Sequence, residues 1–296
     1  MSLPVSYPPN PTPEQLVAAL RQLSPTARVL ARLQHLLADP NSGLDDISAL
    51  LKLDASLVTR VIQVSNSIIF RRGDPSRTID EAVNRIGFRE IFRLVAIVAS
   101  NAVASGPYAA YGLNAEDVWT QSVGNALAAE LIAEQTGEDY STAYTAGLLQ
   151  TIGRMPINQY SLHLDPNRRF ADTGFPNDYS TAELALLSYN QSKVSAYMLQ
   201  KWEFPPALIK PVQHQYEPLS APEPHDTLAA VIYAGRLLRT LHADGLAVPF
   251  APEEDEVLGG LRMDRDRLAQ LLPQFEMQLD RARQITAAMQ IRTGGR

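Results

Sequence analysis

The segment Ala143-Tyr144-Thr145-Ala146-Gly147-Leu148-Leu149-Gln150-Thr151-Ile152-Gly153-Arg154 constrains this chain more than any other. It predicts a buried helix whose small face, Ala143, Ala146 and Gly147, runs at i, i+3 and i+4 spacing down to Gln150, with Gly153 as its stop. A face built from small side chains admits a close neighbour. The fold must therefore supply helices that approach this one closely.

The chain has 296 residues, 45% hydrophobic and 20% charged, which is a globular composition with material for one large or two modest domains. It contains no cysteine, which removes disulfides and thiolate metal ligation and agrees with a reducing compartment. No run approaches the roughly 20 apolar residues of a membrane span, and the N-terminus lacks the basic-then-apolar order of a signal peptide. A soluble cytoplasmic protein is the expectation. A net charge of -6 argues against nucleic acid as a partner of the whole surface, and Arg71-Arg72 and Arg168-Arg169 read as solvated loop pairs.

Residues 1–11, rich in Pro, Ser and Asn, are expected to form a flexible tail. Thr12, Pro13 and Gln15 then start a first helix as a capping box, and Ser24-Pro25 repeats the device for a second. A short helix over 44–50 precedes one capped by Asp54, with Leu57, Val61 and Val64 on one stripe. Thr78 with Glu81 opens the next, and residues 88–103 are a strongly apolar helix. Asn114 with Asp117 begins a long helix to about Glu134, carrying Gln121 beside Gly124, Asn125 and Ala128. After a polar loop over 165–179, Ser180 with Glu183 opens another helix. Further helices are expected over 191–202, 207–216 and 227–241, the last of them amphipathic, and charged helical segments follow a linker over 245–252. A final stripe of Phe275, Leu279, Ala282 and Ile285 either packs internally or offers a partner face. No strand pattern occurs, so the fold class is all-α, a multi-helix bundle.

Three motifs then stand in a recognisable order: L-D-A-S-L-x-x-R-V-I-Q-V-S-N-S at 53–67, T-I-D-E-A-V-N-R-I-G-F at 78–88, and the A-G-L-L run at 146–149. Together they resemble the HDOD family, the HD-related output domains, across roughly residues 20–218. The resemblance implies a bundle of HD-domain type with an N-terminal helical subdomain. The segments expected from it are an N-terminal helical part at 12–105, a degenerate HD-like core at 106–218 and a C-terminal helical segment at 219–296.

Catalytic HD proteins gather His and Asp side chains from several helices around a divalent metal, which lowers the pKa of bound water. The positions that resemble those ligands here are Gln121 for the first His, Gln150-Thr151 for the His-Asp pair, Gln191 for a helix-start His and Gly235 for the late Asp. In Gln213-His214-Gln215 only His214 remains a histidine, and Gln215 stands beside it. Amides are poor metal ligands, and Thr and Gly add little. The resemblance therefore implies no metal, no cofactor and no catalysis, but a signalling output module with a protein partner and a vestigial pocket of Gln121, Gln150, Thr151, Arg154, Gln191, His214 and Gln215. Two alternatives remain: a residual metal-dependent phosphohydrolase, and a nucleotide or small-ligand sensor that uses the amides as donors and acceptors. Arg154 reads either as a phosphate ligand or as a cover for its helix end, and His214 as a helix-end histidine favoured by the dipole. Gln121, Gln150, Gln191 and Gln215 are expected to meet in a hydrogen-bonded network, because buried amides need partners.

Overall fold

The computed structural model describes residues 7–20, 25–39, 41–71, 73–103, 106–245 and 251–290. Among them the chain forms α1 (Pro13–Ala18), α2 (Pro25–Ala38), α3 (Leu44–Leu51), α4 (Ala55–Ser65), α5 (Ile79–Ile86), α6 (Phe88–Val103), α7 (Ala115–Thr136) and α8 (Tyr140–Leu149). There follow α9 (Arg154–Leu164), α10 (Ser180–Leu187), α11 (Gln191–Lys201), α12 (Pro206–Gln213), α13 (Asp226–Asp244), α14 (Pro252–Gly260), α15 (Arg265–Gln270) and α16 (Leu272–Gln290). No strand occurs among the described residues, only an isolated antiparallel bridge between Tyr108 and Leu113. The protein is all-α, as its sequence predicts. Residues 1–6 of the expected tail, Ser24, Arg72 and 246–250 of the expected linker lie outside the described residues.

The described residues divide into two compact units. One combines those of Met1–Leu23 and Val103–Phe275, the other those of Ser24–Ala102 and Glu276–Arg296. These units cut the chain differently from the linear segments read from the sequence. Helix α1, expected with the N-terminal part, packs on α9 and α11 in the first unit, and α13 to α15 join that unit rather than a separate C-terminal segment. Residues 7–11 do not behave as a flexible tail: the Tyr7 ring packs edge-on against Tyr160, and the Pro11 carbonyl accepts from the Tyr189 hydroxyl. An aromatic ring and a buried proline give this stretch an anchor that composition does not reveal.

Several helix starts follow the sequence signals, and others are diverted. Thr12 with Gln15, and Asn114 with Asp117, form reciprocal capping boxes. At Thr78 the box is only half made, since Glu81 accepts from the Arg77 N–H instead of that of Thr78. Helix α10 has no side-chain cap at all; Glu183, expected to cap it, is drawn into the interior by Tyr111 and Gln191. Helix α8 ends at Leu149, ahead of the predicted stop, and Gly153 instead precedes α9 with ordinary right-handed φ of -62°. Helix α13 is not amphipathic: its side chains from Val231 to Leu238 are all buried. The stripe of Phe275, Leu279, Ala282 and Ile285 on α16 is buried, which decides between its two readings.

In the second unit α3 and α4 pack on α5, and the Asn66 side chain ties the end of α4 to the Ser76 backbone by two hydrogen bonds. In the first unit the most extensive pairings are those of α7 with α8 and with α13. Both depend on glycine. A Cβ placed on Gly147 would lie 2.5 Å from the Asn125 carbonyl oxygen and 2.9 Å from Ala126 Cα. One on Gly235 would lie 2.8 Å from the Ala129 nitrogen. The obstructing atoms are backbone, which cannot rotate away, so α8 and α13 touch α7 at distances that exclude any side chain. Gly147→Leu is therefore expected to destabilise the protein by ~1–3 kcal/mol or more through overpacking. Urea denaturation should show a lowered midpoint, and a curve superimposable on wild type would contradict the close crossing.

Candidate functional site

The positions singled out by the sequence are carried to one region of the first unit by four helices and two connections. Gln121 projects from α7, Gln150 follows α8, Arg154 begins α9, Gln191 begins α11, Gln215 follows α12, and Gly235 lies on α13. The α8–α9 turn is held against α11: a Cβ on Gly153 would run into the Gln191 carbonyl, and the Gly153 N–H donates to Ser195 Oγ at 2.9 Å. Glycine is needed here for close approach rather than for helix termination.

Two of the four amides saturate one another. Gln191 Nε2 donates to Gln215 Oε1 at 3.2 Å and to the Tyr216 hydroxyl oxygen at 3.0 Å. Gln215 Nε2 donates to the carbonyls of Gln150 at 2.8 Å and Val212 at 2.9 Å. Ser195 Oγ lies 2.8 Å from Gln191 Oε1 and 3.1 Å from the Gln150 carbonyl, so its single proton serves both. The Gln191 backbone N–H donates to Glu183 Oε2, whose other oxygen accepts from the Tyr111 hydroxyl. All of Gln191, Gln215, Ser195 and Glu183 are buried.

The expected four-amide network is thus only half correct. Gln150 takes part through its backbone; its side-chain Nε2 donates to the carbonyl of Gly147, and its buried Oε1 has no hydrogen-bond partner. Gln121 turns away from the other amides and accepts from Arg154 Nη1 at 3.1 Å. The correction has a physical source: a guanidinium offers Gln121 a charge-assisted bond, which is stronger than an amide pair.

Arg154 is 2% exposed and Arg236 1% exposed, so both cations are buried. A single carboxylate oxygen holds them together, since Asp178 Oδ2 accepts from Arg154 Nη2 at 3.1 Å and from Arg236 Nη2 at 2.9 Å. Arg236 also donates to the carbonyls of Gln215 and Pro176. Aromatic faces complete the enclosure, with Arg154 over Tyr111 and Tyr179 and Arg236 over Phe175 and Tyr216. Burial alone would raise the Asp178 pKa, but Arg236 and Arg154 outweigh it and hold the carboxyl below its ordinary value. Glu183 goes the other way: burial raises its pKa, and Arg154 offsets this only in part.

The remaining expected site residues stay apart. His214 caps the end of α12 with Nδ1 3.1 Å from Ser220 Oγ, and burial together with Lys210 lowers its pKa. Thr151 lies half-buried in the α8–α9 turn. Gly235 has no room for any side chain, because α7 backbone fills that space. Arg154 covers no helix end but points into the interior. The sequence reading missed Asp178, Arg236, Glu183, Ser195, Tyr111 and Tyr216. Arg236 had a usable signal, a charged residue inside the apolar run from Leu228 to Leu241, since buried Arg requires a partner. Asp178 had none, because an irregular polar loop carries no periodicity.

Residues 23–218 match the HDOD domain family. A curated protein of Treponema pallidum (strain Nichols) with no assigned role is 23% identical over 220 residues, covering 73% of this chain, which in turn spans 42% of that protein's length. Among solved structures, a candidate signal transduction protein from Marinobacter aquaeolei VT8 has a TM-score of 0.69 at 22% identity, over 93% of this chain and 60% of the other. An HDOD domain protein of unknown function from Geobacter sulfurreducens has a TM-score of 0.66 at 19% identity, over 94% and 96% of the two chains. A candidate phosphohydrolase from Shewanella amazonensis SB2B has 0.64 at 26% identity, over 90% and 95%.

The network predicts an asymmetry between two glutamines. Gln191→Leu strands Gln215 Oε1 and leaves Ser195 and Tyr216 short of a partner, and should cost ~1–3 kcal/mol. Gln150→Leu removes a buried oxygen without a partner and one local bond from Nε2 to the Gly147 carbonyl, and should change stability by less than about 1 kcal/mol. Urea denaturation of the two variants checks the order, and equal losses would refute it.

Proposed function

Because this chain belongs to the HDOD domain family, we propose that it is a non-catalytic regulatory protein that works through protein contacts in a bacterial signalling pathway. One observation carries the non-catalytic half. At the positions that resemble the metal ligands of catalytic HD proteins, this chain has amides whose oxygens, Gln150 Oε1 excepted, are committed to protein hydrogen bonds, in contact with two buried guanidiniums. Such a donor set does not fit a divalent cation. The amide oxygens of Gln121, Gln191 and Gln215 each accept from a protein donor, and Arg154 and Arg236 would repel a second positive charge. Among the described residues no three His, Cys, Asp or Glu side chains are grouped so that they could hold a metal ion. The runner-up, metal-dependent phosphohydrolysis, has the name of the Shewanella structure in its favour and this chemistry against it.

The protein-contact half rests on the family and on the retention of the helical scaffold after its chemistry has changed. Among the described residues no helix is long and apolar enough to cross a membrane.

The protein, purified after growth with added iron, manganese and zinc, is expected to carry no stoichiometric metal and to leave bis-p-nitrophenyl phosphate intact. About one tightly held metal per chain, with turnover that a chelator abolishes, would reverse the reading in favour of hydrolysis. For the protein-contact half, a partner captured from a native bacterial lysate should re-form a complex with the purified chain in size-exclusion chromatography. Failure of any captured protein to do so counts against it.

A further inference from the structure

We propose that Arg154 and Arg236 form an oxyanion site which the chain's own Asp178 fills, and that a phosphate group on a small ligand displaces Asp178 and releases residues 171–178. This goes beyond the regulatory reading, which assigns no ligand to this region.

The arginines are imperfectly matched by a carboxylate. Asp178 uses one oxygen to bridge both guanidiniums, so neither receives the bidentate pairing that a guanidinium fork favours. Arg154 Nε, on a side chain that is 2% exposed, has no hydrogen-bond partner. A third guanidinium adds to the positive field, since Arg239 interacts with Asp178 while its own Nε donates to Asn125 Oδ1 at 2.8 Å. Three cations therefore converge on Asp178, and the nearby Glu183 is biased by burial towards its neutral form. A phosphate brings more charge and three acceptor oxygens, enough to bridge both forks and reach Arg154 Nε.

The segment that carries Asp178 is built to let go. Residues 171–174 are exposed, and the stretch closes on itself: the Thr173 N–H donates to the Asp178 carbonyl at 2.8 Å and the Asp178 N–H to the Gly174 carbonyl at 2.6 Å. Its tip is anchored by Asp178 on the two arginines, by the Pro176 carbonyl on Arg236, and by the Phe175 ring on Tyr233 and Arg236. Most of those anchors end on one of the two arginines, so a ligand that takes the guanidiniums removes them together. A cleft of about 380 Å³ lies alongside, lined by Asn177, Ser180, Asn190, Lys193 and Tyr216. It offers room for the rest of a phosphorylated small molecule, and Tyr216, which lies under Arg236, belongs to both the cleft and the cluster.

Inorganic phosphate, titrated against sodium chloride of equal ionic strength, tests this on the full chain. Hydrogen exchange in residues 171–178 should rise several-fold with phosphate and not with chloride. Calorimetry should find phosphate bound at least about tenfold more tightly by Asp178→Asn than by wild type, because the tethered competitor is gone. Arg154→Gln should lose that binding. A flat exchange profile in wild type, or an Asp178→Asn affinity no tighter than wild type, overturns the proposal; the first readout stands even where a variant does not fold. Either result leaves the regulatory reading intact, whereas hydrolysis of an added phosphomonoester under the same conditions would defeat that reading and spare the site.

Discussion

The backbone of α7 touches α8 at Gly147 and α13 at Gly235, and these two close contacts set the positions of the groups that form the site. Side-chain reach is short, so helices that approach at backbone distance bring the residues around the crossing within hydrogen-bond range of a third element. Gln121 on α7 thereby meets Arg154 at the start of α9, and Arg236, next to Gly235, meets the turn that follows α12. Asn125 shows the economy of the arrangement: its carbonyl faces Gly147 while its side chain accepts from Arg239. One larger residue at either glycine would move all of these groups, because the obstructing atoms are main chain.

Within that frame the interior holds two buried guanidiniums, Arg154 and Arg236. Burying a guanidinium is costly unless its charge is paired and its donors are used. Here the compensation is distributed over a loop carboxylate, backbone carbonyls and four aromatic faces rather than concentrated in one pair. The amide set of Gln191 and Gln215 is closed by contrast, with every N–H and oxygen engaged. Together the two halves connect α7, α9, α11, α13 and the loop before α10, so polar cross-links hold these helices in register.

The particular residues show where legibility ended. Helix starts at Thr12 and Asn114 were readable because an N-cap and its third residue are local partners. Glu183 and Glu81 carry the same local signal, yet each carboxylate goes elsewhere: Glu183 meets Tyr111, 72 residues away, and the start of α11, and the Arg77 N–H competes for Glu81 one residue earlier. Gly147 is legible from the small residues around it, whereas Gly153 reads as a helix stop, since spacing alone does not reveal that α11 passes beside it. Burial of Gln150, Gln191 and Gln215 is legible, but their pairing is not: Gln150 meets the network through its carbonyl, while its side-chain Nε2 bonds only to the Gly147 carbonyl.

By itself the sequence determined the all-α class, most helix boundaries and the family. Each of these is written in spacing along the chain or in residue type, and local hydrogen bonding and apolar periodicity depend on little else. Tertiary structure alone decided that Asp178 bridges Arg154 and Arg236, that Glu183 leaves its helix end for the interior, and that α1 packs on α9 and α11. Those outcomes turn on which charge finds which partner across 24 to 72 residues of chain. Burial settles that choice, because an ion removed from water binds the nearest complementary group that folding brings to it, however distant in sequence.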